Sequence, residues 1–385
     1  MVLRPQLIPI FETAKMGTDI VVAKYLTKSY VKLKHHAFLI ECVVFFWKKT
    51  SKMAELSCIN INFDSIGWNL SLEPKKFRDP SFFKVADRFF KISQKYDFKY
   101  TIFIIGKDLE NPEVANRVKD WKDQGHEIGN HSYNHKQNLG YLKFEEIEYE
   151  VLKSHELITK TCGEEPKGFI AQAWATSKEL VQILYKNNYL YDTSLFPSYF
   201  MWIASAKVFW NFRKDYRGST TLQRKDRLAN LIGSRRPFFT DGSSLLKDKK
   251  KGLLIIPLPV TPFIRLPLLH TMSFILPKPI FEFTLKSTLK LPYFYYLTHP
   301  GDLADLSDIP EERVSDIGVM ERIETSISDK KFYFDKYIKI VKERSSNLVT
   351  LRSIAEDCYV PPIRYRFYPT YSHQNETSLR VCNPR

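Results

Sequence analysis

Three stretches of the sequence place an ionisable side chain directly behind an apolar run that reads as a β-strand. Asp64 closes INFDS, His131 closes HEIGNH with His135 four residues on, and His299 closes YFYYLTH. In a parallel α/β barrel the reactive groups gather where strands end, so these four side chains are the candidates for chemistry. HSYNH sets two imidazoles at i and i+4. In a helical turn such a pair shares one face, with Cβ atoms about 5–6 Å apart, close enough for one metal ion. Each residue also has a plainer reading. Asp64 could cap a helix or bond a loop, HSYNH could be two surface or loop-bonding histidines, and His299 could be structural. A histidine pair immediately behind an apolar strand, in a chain with nine histidines, favours the metal.

The elements that must position these groups alternate strand and helix from Ser57 onward. SCININF reads as a strand, and Asp79-Pro80 as an N-cap with proline at the first helical position. Phe82, Phe83, Ala86, Phe89 and Phe90 then follow at helical spacing. YTIFIIG is a buried strand, and Asn111-Pro112 repeats the cap signature before a helix that runs to Gly125. HEIGNH, GFIA and YLYDTSL are further strands. Helices are expected over 144–161 and from Thr176 or Ser177 through Lys186. Residues 200–250 are basic and irregular and read as an insertion. The tract 253–282 is apolar but broken by prolines and Arg265, which argues against a membrane span. The alternation resumes with YFYYLTH, a helix near 328–345, the strand NLVTL and the short helix SIAEDC. Repeated βα units of this length imply a parallel sheet, open or closed into a barrel.

GHEIGNHSYNH resembles the second motif of the NodB-homology polysaccharide deacetylases, and NNYLYDTSLFPS the segment after their third motif. INFDS stands where that family has its first motif, GFIAQAW is similar to the third, and LTHPGDL with NLVTLRSIAEDC is a weaker echo. The resemblance covers roughly residues 57–200. It implies an α/β fold, a deformed (β/α) barrel of the glycoside hydrolase/deacetylase type with about seven parallel strands. It also implies hydrolysis of an N-acyl group on a sugar or polysaccharide precursor, a carbon–nitrogen bond other than a peptide. Asp64 would be the general base, His131 and His135 would hold a divalent metal such as zinc, and His299 would protonate the leaving amine. Zinc lowers the pKa of its water to about 7 and polarises an acyl carbonyl, and an imidazole can supply the proton an amine needs to leave. Trp174 lies where a sugar-stacking platform would be useful.

The departures from the family pattern bear on the same roles. Ser65 replaces the usual second aspartate, a metal ligand, so another carboxylate must serve: Asp192, Asp302, or Asp64 turned to the metal. Asp192 also reads as a structural cap. Ile170, Gln172 and Ala173 stand where the third motif has an arginine that clamps the base, followed by proline and glycine. These changes place the chain in a divergent branch. They keep open a small-amide hydrolase of allantoinase type, and a catalytically inactive carbohydrate-binding relative.

A net charge of +15 favours anionic partners, but no nucleic-acid module accompanies the basic residues, so no nucleic acid is expected. The cations gather in the first fifty residues and between Lys207 and Lys251. With the apolar tract 253–282, they suggest peripheral contact with an anionic membrane and a lipid-linked phosphate sugar. The five cysteines form no CxxC pair, which fits a reducing compartment without a disulfide framework. Residues 37–47 are apolar but would span only about 16 Å as a helix against a ~30 Å bilayer core, and no cleavage pattern follows. The expected location is cytoplasmic, peripheral to the inner membrane. The expected organisation is a poorly ordered or non-native extension (1–52) and one deacetylase-like domain (53–360) with an insertion at about 200–290. A tail (361–385) follows.

Overall fold

The computed structural model describes residues 54–69, 78–203, 206, 224–246, 249–309 and 323–359. The chain divides into two units, Met1–Lys52 and Met53–Arg385. The expectations for residues 1–52 and for the tail fall outside the described residues, as do Cys42 and Cys382. Cys58, Cys162 and Cys358 are free thiols.

Among the described residues nine strands form one sheet in the order β6-β7-β5-β4-β3-β2-β1-β8, with β9 also paired to β1. They are β1 (Ala54–Asn62), β2 (Thr101–Ile104), β3 (Glu127–Asn130), β4 (Gly168–Phe169), β5 (Tyr191–Asp192), β6 (Phe238–Thr240), β7 (Leu253–Ile255), β8 (Tyr293–Thr298) and β9 (Ser345–Leu348). Every pairing is parallel except β6 with β7. Eight strands thus run parallel, close to the expected seven, and β6 runs antiparallel.

Side chains alternate across a strand, and the two faces of this sheet build different cores. Cys58, Phe103, Ile170, Tyr191, Leu254 and Tyr295 pack together with Leu351 and Ile354, which belong to a helix over Leu351–Tyr359. On the other face Ile59, Ile61, Ile102 and Ile104 meet α-helices Lys84–Tyr96 and Pro112–Asp123. Phe169, Leu253 and Ile255 meet helices Phe144–Cys162 and Lys178–Lys186.

The helix starts follow the capping chemistry. Asp79 accepts from the Ser81 amide, Asn111 from Glu113 and Ser177 from Leu180. Asp79-Pro80 opens a 3₁₀ turn, and the α-helix proper begins only at Lys84.

The stretch expected as an insertion contributes to the sheet itself. β7 lies between β5 and β6, and its chain continues to Val260, which pairs antiparallel with Pro267. Leu269 then pairs parallel with Leu297 of β8, and the His270 amide donates to the Leu297 carbonyl at 2.8 Å. This proline-rich hairpin links β7 to β8 and supplies the irregular side of the barrel. Leu253, Leu254, Ile255, Ile256, Leu258, Val260 and Leu268 are each 3% exposed or less. These apolar residues, part of the tract that suggested a membrane face, are core. No described helix is long and apolar enough to cross a membrane.

Candidate active site

Asp64 follows the end of β1, where the Phe63 amide donates to the Phe103 carbonyl at 3.0 Å and fixes the chain's exit. His131 follows β3, its amide bonded to the Ile104 carbonyl at 2.9 Å. The parallel register of β1, β2 and β3 brings both exits to one end of the sheet.

HSYNH is a loop here, not the helical turn that its spacing suggests. Ser132 and His135 both take left-handed backbone conformations, with φ of 55° and 53°. Side chains hold this loop. The Ser132 amide donates to Asn130 Oδ1 at 2.8 Å, and Ser132 Oγ to Gln172 Oε1 at 3.2 Å. Gln172 Nε2 donates to the His131 carbonyl. Both carboxylate oxygens of the fully buried Glu150 accept from Asn134, at 2.7 and 2.9 Å. A helix is not required to bring two imidazoles together, and their rings lie 5.3 Å apart.

The convergence is on Asp64. Its Oδ1 lies 3.0 Å from His131 Nε2 and 3.1 Å from His135 Nε2. The ligand atoms of the three residues all fall within 4.8 Å of one another. His131 Nδ1 donates to the Ile170 carbonyl at 2.7 Å, which fixes the tautomer and leaves the Nε2 lone pair facing the carboxylate. Two acceptors at 3.0 Å repel unless a proton or a cation lies between them, so the donor set fits a divalent ion. Burial works against the Asp64 carboxylate, yet the two imidazoles hold it well below the usual range. Burial lowers the His131 pKa even against the pull of Asp64. Both groups are therefore set in their ligating forms at neutral pH.

Of the carboxylates considered for the third position, Asp64 is the one that lies with the two imidazoles. Asp192 accepts from the Ser194 amide at 2.9 Å, and burial pushes its carboxyl up to about 7. Asp302 accepts from the His299 amide at 2.9 Å and from Thr271 Oγ1 at 3.1 Å. Neither belongs to the three-residue cluster. His299 follows β8, beside β1, where Asn60 pairs with Leu297 and Ile61 with Thr298. It stands at the same end of the sheet as Asp64 but outside the cluster of ligand atoms. Trp174 follows β4 on a 3₁₀ turn with left-handed φ, half-buried, its ring 4.9 Å from that of Phe196. Its Nε1 is buried without a hydrogen-bond partner among the described residues. Arg265 bonds the carbonyls of Pro197 and Gly233, and His270 is buried against Tyr296, so both are structural.

Ser65 is buried at 1% exposure and hydrogen-bonds to Asp79. That carboxylate also accepts from the Gly67 amide at 2.5 Å. Burial raises the Asp79 pKa despite these donors. Next to it Asp108, 2% exposed, accepts from Trp68 Nε1 at 2.9 Å, and the Trp68 ring lies 5.7 Å from the His135 ring. Burial, with Asp79 and Asp64 adding like charge, pushes the Asp108 carboxyl well above its ordinary value. Two buried carboxyls thus brace the loop 65–68. Sequence reading found Asp79 only as a helix cap and missed Asp108 and Trp68, whose link spans forty residues with no local signal. Ile170, where the family has its arginine, turns its side chain into the apolar interior and gives only its carbonyl to the site.

Comparison with known proteins agrees with this geometry. Residues 58–191 match the polysaccharide deacetylase family. Over 149 residues the chain is 32% identical to a peptidoglycan deacetylase of Helicobacter pylori, covering 38% of this chain and 47% of that protein. Over 74 residues it is 32% identical to a peptidoglycan-N-acetylglucosamine deacetylase of Bacillus cereus, covering 19% of this chain and 26% of that protein. The chain thus spans about half, or less, of the length of these curated relatives. A solved structure from Mycobacterium smegmatis, named for the polysaccharide deacetylases, aligns with a TM-score of 0.50 at 12% identity. It covers 80% of this chain and 90% of that one, a likeness of fold. Residues 58–191, which hold Asp64, His131 and His135, are thus similar to the polysaccharide deacetylase family.

Proposed function

We propose that this protein is a hydrolase that removes an acyl group, in the first instance acetyl, from the nitrogen of a sugar or polysaccharide precursor. The observation that carries the reading is the meeting of Asp64 Oδ1 with both imidazole Nε2 atoms, with His131 Nδ1 already committed to a backbone carbonyl. Asp64, His131 and His135 would hold a divalent ion, zinc by the chemistry of its donors. When bound, the ion supplies Lewis acidity, which acidifies water towards pKa ~7 and polarises an acyl carbonyl.

The protein's own groups do the rest. Asp64, kept ionised by the imidazoles, orients water and can accept its proton. His299, on the neighbouring strand end, donates a proton to the departing amine, which is otherwise too basic to leave. Gln172 and Glu150 hold the histidine loop, and Trp174 contributes an aromatic edge at the rim. The H. pylori and B. cereus relatives named as deacetylases of peptidoglycan point to an N-acetylated glycan as the first substrate to try.

The test is acetate release from chitooligosaccharide by chelated and zinc-reconstituted enzyme, with a cyclic ureide run in parallel. Release that needs the ion and is abolished in His131→Ala supports the proposal. Turnover of the ureide alone would assign a small-amide hydrolase. Ser65 and Ile170 favour a second reading, an inactive carbohydrate-binding relative, and glycan binding without any release in the reconstituted protein would select it. The high positive charge supports one further part of the proposal, peripheral contact with an anionic membrane in the cytoplasm.

A further inference from the structure

Three chain segments beside the Trp174 turn carry large apolar side chains outward. Trp202 is 43% exposed and Ile203 60%. The short helix Arg227–Ile232 buries Ala229 and Asn230 but leaves Leu228, Leu231 and Ile232 at 57%, 44% and 57%. The tip of the β7–β8 hairpin holds Phe263 at 84% and Ile264 at 48%.

These segments form one face because basic side chains lace them together. The Arg227 guanidinium lies 5.7 Å from the Trp202 ring. Arg265 donates to the carbonyls of Gly233 and Pro197, each at 2.9 Å, and Arg235 donates to the Val260 carbonyl. Arg224 bonds the carbonyls of Ala173 and Trp174 at 3.3 and 3.1 Å, so the face begins at the turn that carries Trp174. Over 197–203, 224–236 and 260–267 there are six cations, and the only acid, Asp226, is buried at 1% and paired with Arg224.

We propose that this face seats the protein on an anionic lipid bilayer. A protein partner would need an apolar groove ringed by acids. A bilayer with anionic headgroups matches the observed combination directly: protruding aliphatic and aromatic tips enter the interface, and the excess of cations over acids in these segments favours lipid phosphates. Docked in this way, the strand-end site opens next to the membrane surface. The proposal narrows the membrane contact named above to a defined surface, and it rests on the deacetylase reading only for what the site then acts upon.

The experiment is co-sedimentation of the full chain with phosphatidylcholine vesicles, with and without phosphatidylglycerol. The parent is compared with Phe263→Ser/Ile264→Ser, with Leu228→Ser/Ile232→Ser and with Arg227→Glu/Arg236→Glu. The expected result is binding to anionic vesicles at low salt, loss at high salt, and binding about tenfold or more weaker in each variant. Undiminished binding by the variants would overturn the proposal, because cations elsewhere would then carry the attachment. So would the absence of binding at low salt. A dimer that the same substitutions dissociate, seen by sedimentation velocity, would assign the face to a second copy and overturn it too. Acetate release from soluble chitooligosaccharide should be equal in parent and variants. If none of them releases acetate while the vesicle results hold, the deacetylase reading fails and the docking face stands.

Discussion

Replacing Ser65 with aspartate restores the carboxylate that the family carries, and its consequences follow from what surrounds the hydroxyl. Ser65 is 1% exposed, adjoins Asp64 in sequence and hydrogen-bonds to Asp79. An ionised carboxylate at that position would stand about 4 Å from the Asp79 carboxylate, where two like charges at an effective dielectric of 20 repel by about 4 kcal/mol. Relaxation and proton uptake reduce this, so Ser65→Asp should cost the ion-free protein about 2–4 kcal/mol at neutral pH, a large share of typical domain stability. The isosteric but neutral Ser65→Asn should cost clearly less. Burial raises the Asp79 pKa, so its protonated form appears as pH falls through that raised value. The repulsion, and with it the penalty, should therefore shrink on acidification.

A divalent ion reverses the sign, because the added carboxylate then becomes a ligand. At a hundred times its dissociation constant an ion stabilises the folded state by about 2.7 kcal/mol, and each tenfold gain in affinity adds about 1.4 kcal/mol. Urea denaturation of parent, Ser65→Asp and Ser65→Asn, each with chelator and with zinc, measures every quantity needed. Equal ion-free stabilities for the aspartate and asparagine variants, together with a zinc shift no larger than the parent's, would refute the reasoning that a carboxylate at position 65 meets Asp79 and can reach the ion.

Asp64→Asn should weaken zinc binding in calorimetry and lower acetate release by about 10²–10⁴-fold, as loss of a charged donor and base predicts. Unchanged release would remove Asp64 from the chemistry. His126, 5% exposed and accepting from the Tyr100 amide, has its pKa lowered to about 4 by burial and by Lys99. Its folded value lies below that of the unfolded chain, so its stabilising contribution is full above the ordinary imidazole range and fades as pH falls towards 4. Between pH 7.5 and pH 5 the parent should lose about 2 kcal/mol more stability than His126→Gln, and parallel curves would contradict this. Burial pushes the Asp108 carboxyl well above its ordinary value and so disfavours its charge, and Asp108→Asn should change stability by less than about 1 kcal/mol. Trp68→Phe, which strips the carboxyl of its buried donor, should cost about 1–3 kcal/mol. Chemical denaturation distinguishes the two, and a large loss in Asp108→Asn would mean that the carboxylate is ionised.

The four candidate side chains were legible in the sequence because strand ends are local events. An apolar run with alternating faces, followed by a polar residue, marks where a chain leaves a sheet, and Asp64, His131 and His299 each sit at such a point. The helix starts at Asp79, Asn111 and Ser177 were legible for the same reason, since a capping side chain bonds amides only two or three residues away. The irregular wall was not. In 253–270 prolines break the alternation of a strand, and only pairing with Leu297, across the barrel, shows that this apolar tract is sheet and core.

What the sequence determined by itself was the supply of candidate ligands and their place at one end of a parallel sheet, because backbone geometry and side-chain alternation act over a few residues. Tertiary structure decided which carboxylate faces the imidazoles, and that Ser65 is turned towards Asp79. It also decided that Asp108 reaches the site through Trp68, forty residues away in the chain. Those choices depend on charges and hydrogen bonds between segments far apart in sequence. Their energies are set by distance and burial in the folded molecule, and no local pattern encodes either.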